Sequence, residues 1–208
     1  PFPEYSKTRY SEPLQFSNNT NVDKVWNLFD IYLNHILKNE NDRNDNITKV
    51  ISKCISVGLG SFDAYSLTLT LAIEEVLNNC FQELSVEKRV KEKDIELLKS
   101  NIKELEIEQK FKDRLHSFLG YIQKSDARDR LRHLININNT SIKKSDYDDW
   151  KLLRNHFVHP KGSMLSTQKM VDKTYSNLSL LHKLIFIKIG YKGPYNNYSK
   201  RSWPIESF

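Results

Sequence analysis

Apolar residues recur at helical spacing along most of the chain. Between 22 and 38 they fall at Val22, Val25, Trp26, Phe29, Leu33, Ile36 and Leu37, the three- and four-residue steps of one helix face. A short helix follows over Ile47–Val57, with Gly58 and Gly60 as stop signals. Ser61 stands as the N-cap of a long helix reaching about Leu84, striped by Phe62, Tyr65, Leu69, Ala72, Ile73, Val76, Cys80 and Leu84. Residues 87–123 are charged, with Val90, Ile95, Leu98, Ile102, Leu105, Phe111, Leu115, Phe118 and Leu119 at helical steps. That run is too short for a coiled coil and predicts a helix packed along a bundle, broken near Glu108. Another helix spans Asp126–Asn138. Ser145 or Asp146 opens the next, which ends at Val158 because Pro160 pushes the residue before it out of the helical region. Thr167–Ile189 is the last, apolar almost all round in its second half and therefore central, with Gly190 at its end. No strand alternation persists, and no repeat of fixed period appears. The pattern predicts an all-α bundle of about five to seven helices over 21–190. An extended arm (1–20) precedes it and an aromatic, basic tail (191–208) follows.

Composition narrows the class. Gly and Pro total 12 of 208 residues, which argues against turn-rich sandwiches and Gly-rich phosphate loops. Two cysteines, Cys54 and Cys80, cannot build a disulfide framework or a Cys-rich zinc site, and both sit in apolar helical patterns as reduced core thiols. No apolar run approaches the roughly 20 residues of a membrane span. The first residues lack the basic and apolar regions of a signal peptide, so the expected location is cytoplasmic. The chain starts without Met, which leaves room for an N-terminal sensor domain or a separate antitoxin. Charge is unevenly placed. The formal net charge is +6, and residues 155–208 carry all of it, with eight basic residues against Asp172 and Glu206.

The segment richest in chemistry is Trp150-Lys-Leu-Leu-Arg154-Asn155-His156-Phe157-Val158-His159-Pro160-Lys161-Gly162. On a helical wheel Arg154 falls inside the apolar arc of Tyr147, Trp150, Leu153, Phe157 and Val158. A permanently charged, five-donor fork in that position needs a partner or a pocket. His159 lies about one turn further on, at a helix C-terminus, which favours the imidazolium. A fixed cation beside a titratable imidazole is what metal-free phosphodiester cleavage requires: one group to move protons, one to hold the phosphorane charge. An Arg and a His near a helix end more often serve as cap and ion-pair groups than as catalysts.

Arg154-Asn155-x-x-x-His159, at the end of a penultimate helix in an all-α chain, resembles the RNxxxH signature of the HEPN superfamily. The upstream helix Leu69-Thr-Leu-Ala-Ile-Glu-Glu-Val-Leu77 is similar to the early helix of those domains. Gly190-Tyr191-Lys192-Gly193-Pro-Tyr195 is similar to the end of the ApeA-type group of bacterial anti-phage systems. The resemblance covers about residues 22–198. It implies an up-and-down bundle that pairs about a two-fold axis as a homodimer, joining two motifs in one cleft. It also implies a metal-independent, cofactor-free endoribonuclease leaving 2′,3′-cyclic phosphate ends, the effector of a toxin or defence protein. Carried over by position, Arg154 binds the scissile phosphate, His159 is the general acid or base, and Asn155 orients the site. One departure stands out: Pro160-Lys161-Gly162 follows His159 where many members have Gly directly. The alternative is a non-catalytic HEPN module that binds nucleotides, RNA or a protein partner.

Other residues are weighed against these. His156 and His159 form an i, i+3 pair, but a metal site wants a further ligand, so no metal is expected. His156, Lys161, Lys169 and Lys173 read as RNA-binding residues beside the motif, where the charge surplus begins. Glu74 and Glu75 lie off the apolar face of their helix and are expected in solvent, with entry into the site or a pairing with Arg154 as the other outcome. Arg128, Arg130 and Arg132 alternate with acids and read as a solvated, self-paired helix face. In the tail, Tyr191 and Tyr195 are expected to pack, while Tyr198 and Trp203 stay open between packing and base stacking.

Overall fold

Two helices with well-formed ends organise the bundle. The Ser61 side chain accepts from the Ala64 backbone N–H and starts α3 (Phe62–Cys80). The Ser166 side chain does the same for Lys169 at the start of α8 (Thr167–Ile189). Gly190 ends α8 in the left-handed region at φ 75°, and the N–H groups of Gly190 and Tyr191 both reach the Phe186 carbonyl. The computed structural model describes residues 12–13, 22–38, 46–58, 60–84, 91–123, 125–137, 141–158 and 165–208. The remaining helices are α1 (Val22–Lys38), α2 (Asn46–Gly58), α4 (Glu92–Glu104), α5 (Gln109–Gln123), α6 (Ala127–Asn136) and α7 (Lys144–Val158). The break foreseen near Glu108 divides the charged stretch into α4 and α5. The described residues thus form eight helices, where five to seven were expected. None is long and apolar enough to cross a membrane.

Helix α3 sits at the centre. It packs against α2, α6, α7 and α8, while α8 also meets α7 and α1. The α3 stripe predicted from spacing is buried at Tyr65, Leu69, Ala72, Ile73, Val76 and Cys80, together with Leu77. Ile47, Val50 and Cys54 of α2 join the same core, as do Leu131, Leu134, Trp150, Leu178, Leu181 and Leu184. Cys54 and Cys80 are buried and unbridged, and burial, reinforced by Glu75, pushes the Cys54 thiol up to about 12. A thiol so far above neutrality is inert packing.

The interior of α8 is less uniformly apolar than its sequence suggests. Thr174, Ser176, Asn177, Ser179, His182 and Lys183 are all buried. Thr174 shares a 2.7 Å hydrogen bond with Ser66, and Asn177 donates to Thr70 Oγ1. Ser176 donates to Asp149 at 2.7 Å. Lys183 Nζ donates to Asp146 at 2.9 Å, the two side chains being only 5% and 6% exposed. The Asp146 carboxylate also accepts from the Lys143 backbone N–H, so one acid both caps α7 and holds a buried cation. These pairs fix how α8 is rotated against α3 and α7, since each polar atom must meet its match.

The tail corrects the expectation of no strands. Pro194–Asn196 (β1) and Ile205–Ser207 (β2) pair antiparallel, Tyr195 opposite Glu206. The turn between them passes through Ser202 and Trp203 at φ 63° and 49°. It brings the Trp203 ring within 5.3 Å of both Tyr175 and Tyr198. Tyr191, Tyr195 and Tyr198 are buried, the first two against Phe186, and Trp203 stays partly exposed. The aromatics therefore pack onto α8. Of the expected arm over 1–20, only Glu12 and Pro13 lie within the described residues. The Glu12 carbonyl accepts from Tyr198 Oη and the Pro13 carbonyl from the Asn196 backbone N–H.

Two outcomes follow from the buried polar groups. Lys183→Met leaves Asp146 charged and buried, and should cost about 3–5 kcal/mol in denaturant unfolding. Adding Asp146→Asn should return part of it. Burial also holds the His182 imidazole down to about 3, against roughly 6.5 in the unfolded chain. Between those values the unfolded state binds the extra proton, so stability is full above about 6.5 and falls as pH drops, by at most about 1.4 kcal/mol per pH unit from this group. The melting temperature of the wild-type chain should decline from pH 7 to pH 5 more steeply than that of His182→Phe.

Candidate functional site

Trp150 determines where Arg154 stands. Its indole N–H donates to the Thr70 carbonyl at 3.1 Å, locking α7 to α3. One turn further along each helix, Arg154 meets Glu74. The guanidinium donates through Nε to Oε2 at 2.9 Å and through Nη2 to Oε1 at 3.4 Å, with the two side chains 26% and 30% exposed. Of the apolar arc predicted around Arg154, Tyr147, Trp150 and Leu153 are buried and Phe157 half-buried, while Val158 near the helix end is exposed. The hydrogen bond to Glu74 raises the Arg154 pKa, against the opposing effect of burial, and the charges of Glu74 and Asp126 add to the rise.

The expectation of solvent-facing glutamates is thus corrected. Glu74 pairs with Arg154, and Glu75 pairs with Lys53 of α2 at 2.8–2.9 Å. Helix α3 is packed on several sides, so positions off its main stripe still face neighbouring helices. The arginines of α6 also divide. Arg128 pairs with Asp126 of its own helix end at 2.7 Å, as expected for a self-paired face. Arg130 instead donates to Asn78 Oδ1 of α3 at 2.9 Å, and the Arg132 guanidinium lies 5.1 Å over the Tyr147 ring. Asn78 follows Glu74 by one turn on α3. Residues Glu74, Asn78, Asp126, Arg130 and Arg154 therefore line one seam where α3, α6 and α7 meet.

Asn155 is exposed, and His156 is half-buried with its ring 5.2 Å from Phe157. His159 and Lys161 lie outside the described residues. Lys169 is exposed in the first turn of α8. Lys173 is not a solvent-facing cation: it donates to Asp149 at 2.6 Å, and Asp149 also accepts from Ser176. Among the described residues no three His, Cys, Asp or Glu side chains group as metal ligands.

Two of the five Arg154 donors serve Glu74, which leaves the fork able to hold a second anion while Glu74 fixes its plane. Spacing alone could place Glu74 and Arg154 only on their own helices; the signal that pairs them is the buried Trp150, which sets the register. Thermodynamic coupling between Glu74→Ala and Arg154→Ala should be about 1 kcal/mol in a double-mutant cycle of denaturant unfolding. Strictly additive losses would show that the pair contributes nothing. No family model, curated protein or solved structure matches the chain.

Proposed function

We propose that the chain is a HEPN-type, metal-independent endoribonuclease, the effector of a toxin or anti-phage defence protein, acting as a homodimer in the cytoplasm. The observation that carries this reading is Arg154, a cation set into an apolar helix face with its plane fixed by Glu74, in an RNxxxH sequence at a helix end. In this reading the RNA 2′-hydroxyl attacks the adjacent phosphorus. Its proton leaves, the P–O5′ bond breaks, and the 5′-oxygen takes up a proton. His159 moves one of these protons, and Arg154 stabilises the charge that builds on the non-bridging oxygens. Asn155 orients the site. Glu74 keeps the guanidinium aimed while remaining a positioning residue. RNA is steered by cations beside the motif, among which the exposed Lys169 suits the role better than the paired Lys173.

One observation favours a second reading. Arg154 already has a carboxylate partner, so the pair could simply close the seam of a non-catalytic module that binds RNA, a nucleotide or a protein. The test is incubation of the purified chain with a mixed RNA pool in EDTA. His159→Ala and Arg154→Ala should each lower cleavage by about 10²–10⁴-fold. Products should carry 2′,3′-cyclic phosphate ends. Undiminished cleavage by His159→Ala sinks the assignment. RNA binding without cleavage, weakening steeply with salt, selects the module instead.

A further inference from the structure

The three arginines of α6 are not equivalent. Arg128 is exposed and matched by the Asp126 carboxylate, and Arg132 is exposed over the Tyr147 ring. Arg130 is half-buried, and among the described residues no carboxylate pairs with it. Its Nη1 donates to the Asn78 amide oxygen at 2.9 Å. Its Nε–H is enclosed and has no acceptor among the described residues. Drawing a guanidinium partly out of water costs free energy that one neutral amide does not return. A buried donor of a charged group without an acceptor is rare in a folded chain. The Arg130 fork thus suits an anion that its own neighbours do not supply.

The position of Arg130 indicates which anion. Glu74 and Asn78 stand four residues apart on α3, so their side chains are neighbours on one helix face. Glu74 anchors Arg154 from α7, and Asn78 anchors Arg130 from α6. The two guanidiniums are therefore held by positions one helical turn apart, about 5.4 Å along α3. The acids of the seam are already engaged. Glu74 accepts from Arg154, Asp126 accepts from Arg128 and the Asp129 backbone N–H, and Asp129 accepts from the Asp126 backbone N–H. Both forks keep donors to spare, since Arg154 commits two of five and Arg130 one of five. A lone carboxylate would engage one fork. A strand carrying one phosphate per nucleotide can engage both.

We infer that Arg130 is a second phosphate-binding residue of the seam, taking the RNA backbone phosphate next to the one held by Arg154. Asn78 positions Arg130 as Glu74 positions Arg154. The two anchors differ in charge, and that divides the work. Neutral Asn78 leaves the full charge of Arg130 for the ligand, whereas Glu74 offsets part of the charge of Arg154. Arg130 supplies strand affinity, and Arg154 supplies a fork of fixed plane. This inference rests on the reading of the seam as an RNA site and does not depend on cleavage.

The test is binding of a single-stranded 2′-O-methyl RNA oligomer to the full chain in EDTA, by fluorescence anisotropy over a range of salt. The probe lacks the 2′-hydroxyl nucleophile, so binding is read without turnover. Each phosphate contact to a single strand adds about −0.7 to the slope of log K against log salt. Arg130→Gln should weaken binding about tenfold and make the slope shallower by about 0.7. Arg130→Lys keeps the charge and should keep most of the slope. Arg128→Gln removes a cation already matched by Asp126 and should bind as wild type does. Circular dichroism checks each fold. If Arg130→Gln loses helical signal, Asn78→Asp decides, because it cancels the Arg130 charge in place and should flatten the slope equally. An unchanged slope in the deciding variant overturns the inference. So does an equal drop in Arg128→Gln, or a wild type that does not bind the probe. Cleavage of the mixed RNA pool by wild type is scored separately, and it upholds or sinks the nuclease reading whichever way Arg130 falls.

Discussion

The Trp150 indole bonded to the Thr70 carbonyl is the contact on which the seam depends. The largest fully buried side chain of the molecule can occupy the core only if its N–H finds an acceptor. Thr70 supplies one from the backbone of α3, and its hydroxyl receives Asn177 of α8. Three helices are thereby tied at one level. Every contact one turn away inherits that register, including Arg154 with Glu74 and Thr174 with Ser66. A slip of one residue along α7 would rotate Arg154 out of the seam and leave the buried indole N–H without an acceptor. The cost of such orphans, about 1–3 kcal/mol each, makes the register specific.

The two ion pairs of α7 show how burial changes the meaning of a charge. Asp146 and Lys183 are almost wholly enclosed, and both are satisfied, Asp146 by a backbone N–H as well as by the ammonium. Such a pair adds little net stability over an apolar one, but it forbids alternative packings of α8. Arg154 and Glu74 are about a quarter exposed, so their attraction is screened and their contribution smaller. Partial exposure is what an anion-binding guanidinium needs. A fork sealed in the core could not reach a ligand, and one fully in solvent would have no fixed plane.

Much of the fold could be read from periodicity. The α3 stripe, the break near Glu108, the stop at Gly190 and the central place of α8 all follow from spacing and end signals. The polar interior of α8 could not, because Ser, Asn, Lys and His have no apolar signature and their burial depends on partners many residues away. The short strands were also hidden: three-residue segments carry no alternation, and their pairing rests on a turn with left-handed Ser202 and Trp203. At the site, wheel geometry marked Arg154 as a cation on an apolar face. It could not choose its partner, since Glu74 is 80 residues distant and only the packing of α7 on α3 brings the two together.

Charge shows most clearly how sequence position and spatial position part. The whole +6 surplus lies in residues 155–208, which suggests a basic surface beside the motif. Among the described residues, four of those cations are held by carboxylates: Lys173 by Asp149, Lys183 by Asp146, Lys188 by Glu83 and Lys200 by Glu206. Three of those acids come from the electrically balanced part of the chain. Folding thus spends acids from residues 1–154 on cations from 155–208. The uncompensated positive charge is redistributed toward the bases those acids would otherwise have met. The field at Arg154 is set by its neighbours in space, Glu74 and Asp126, both acids from the balanced part of the chain. Those neighbours, and not the total charge, set the potential along the seam.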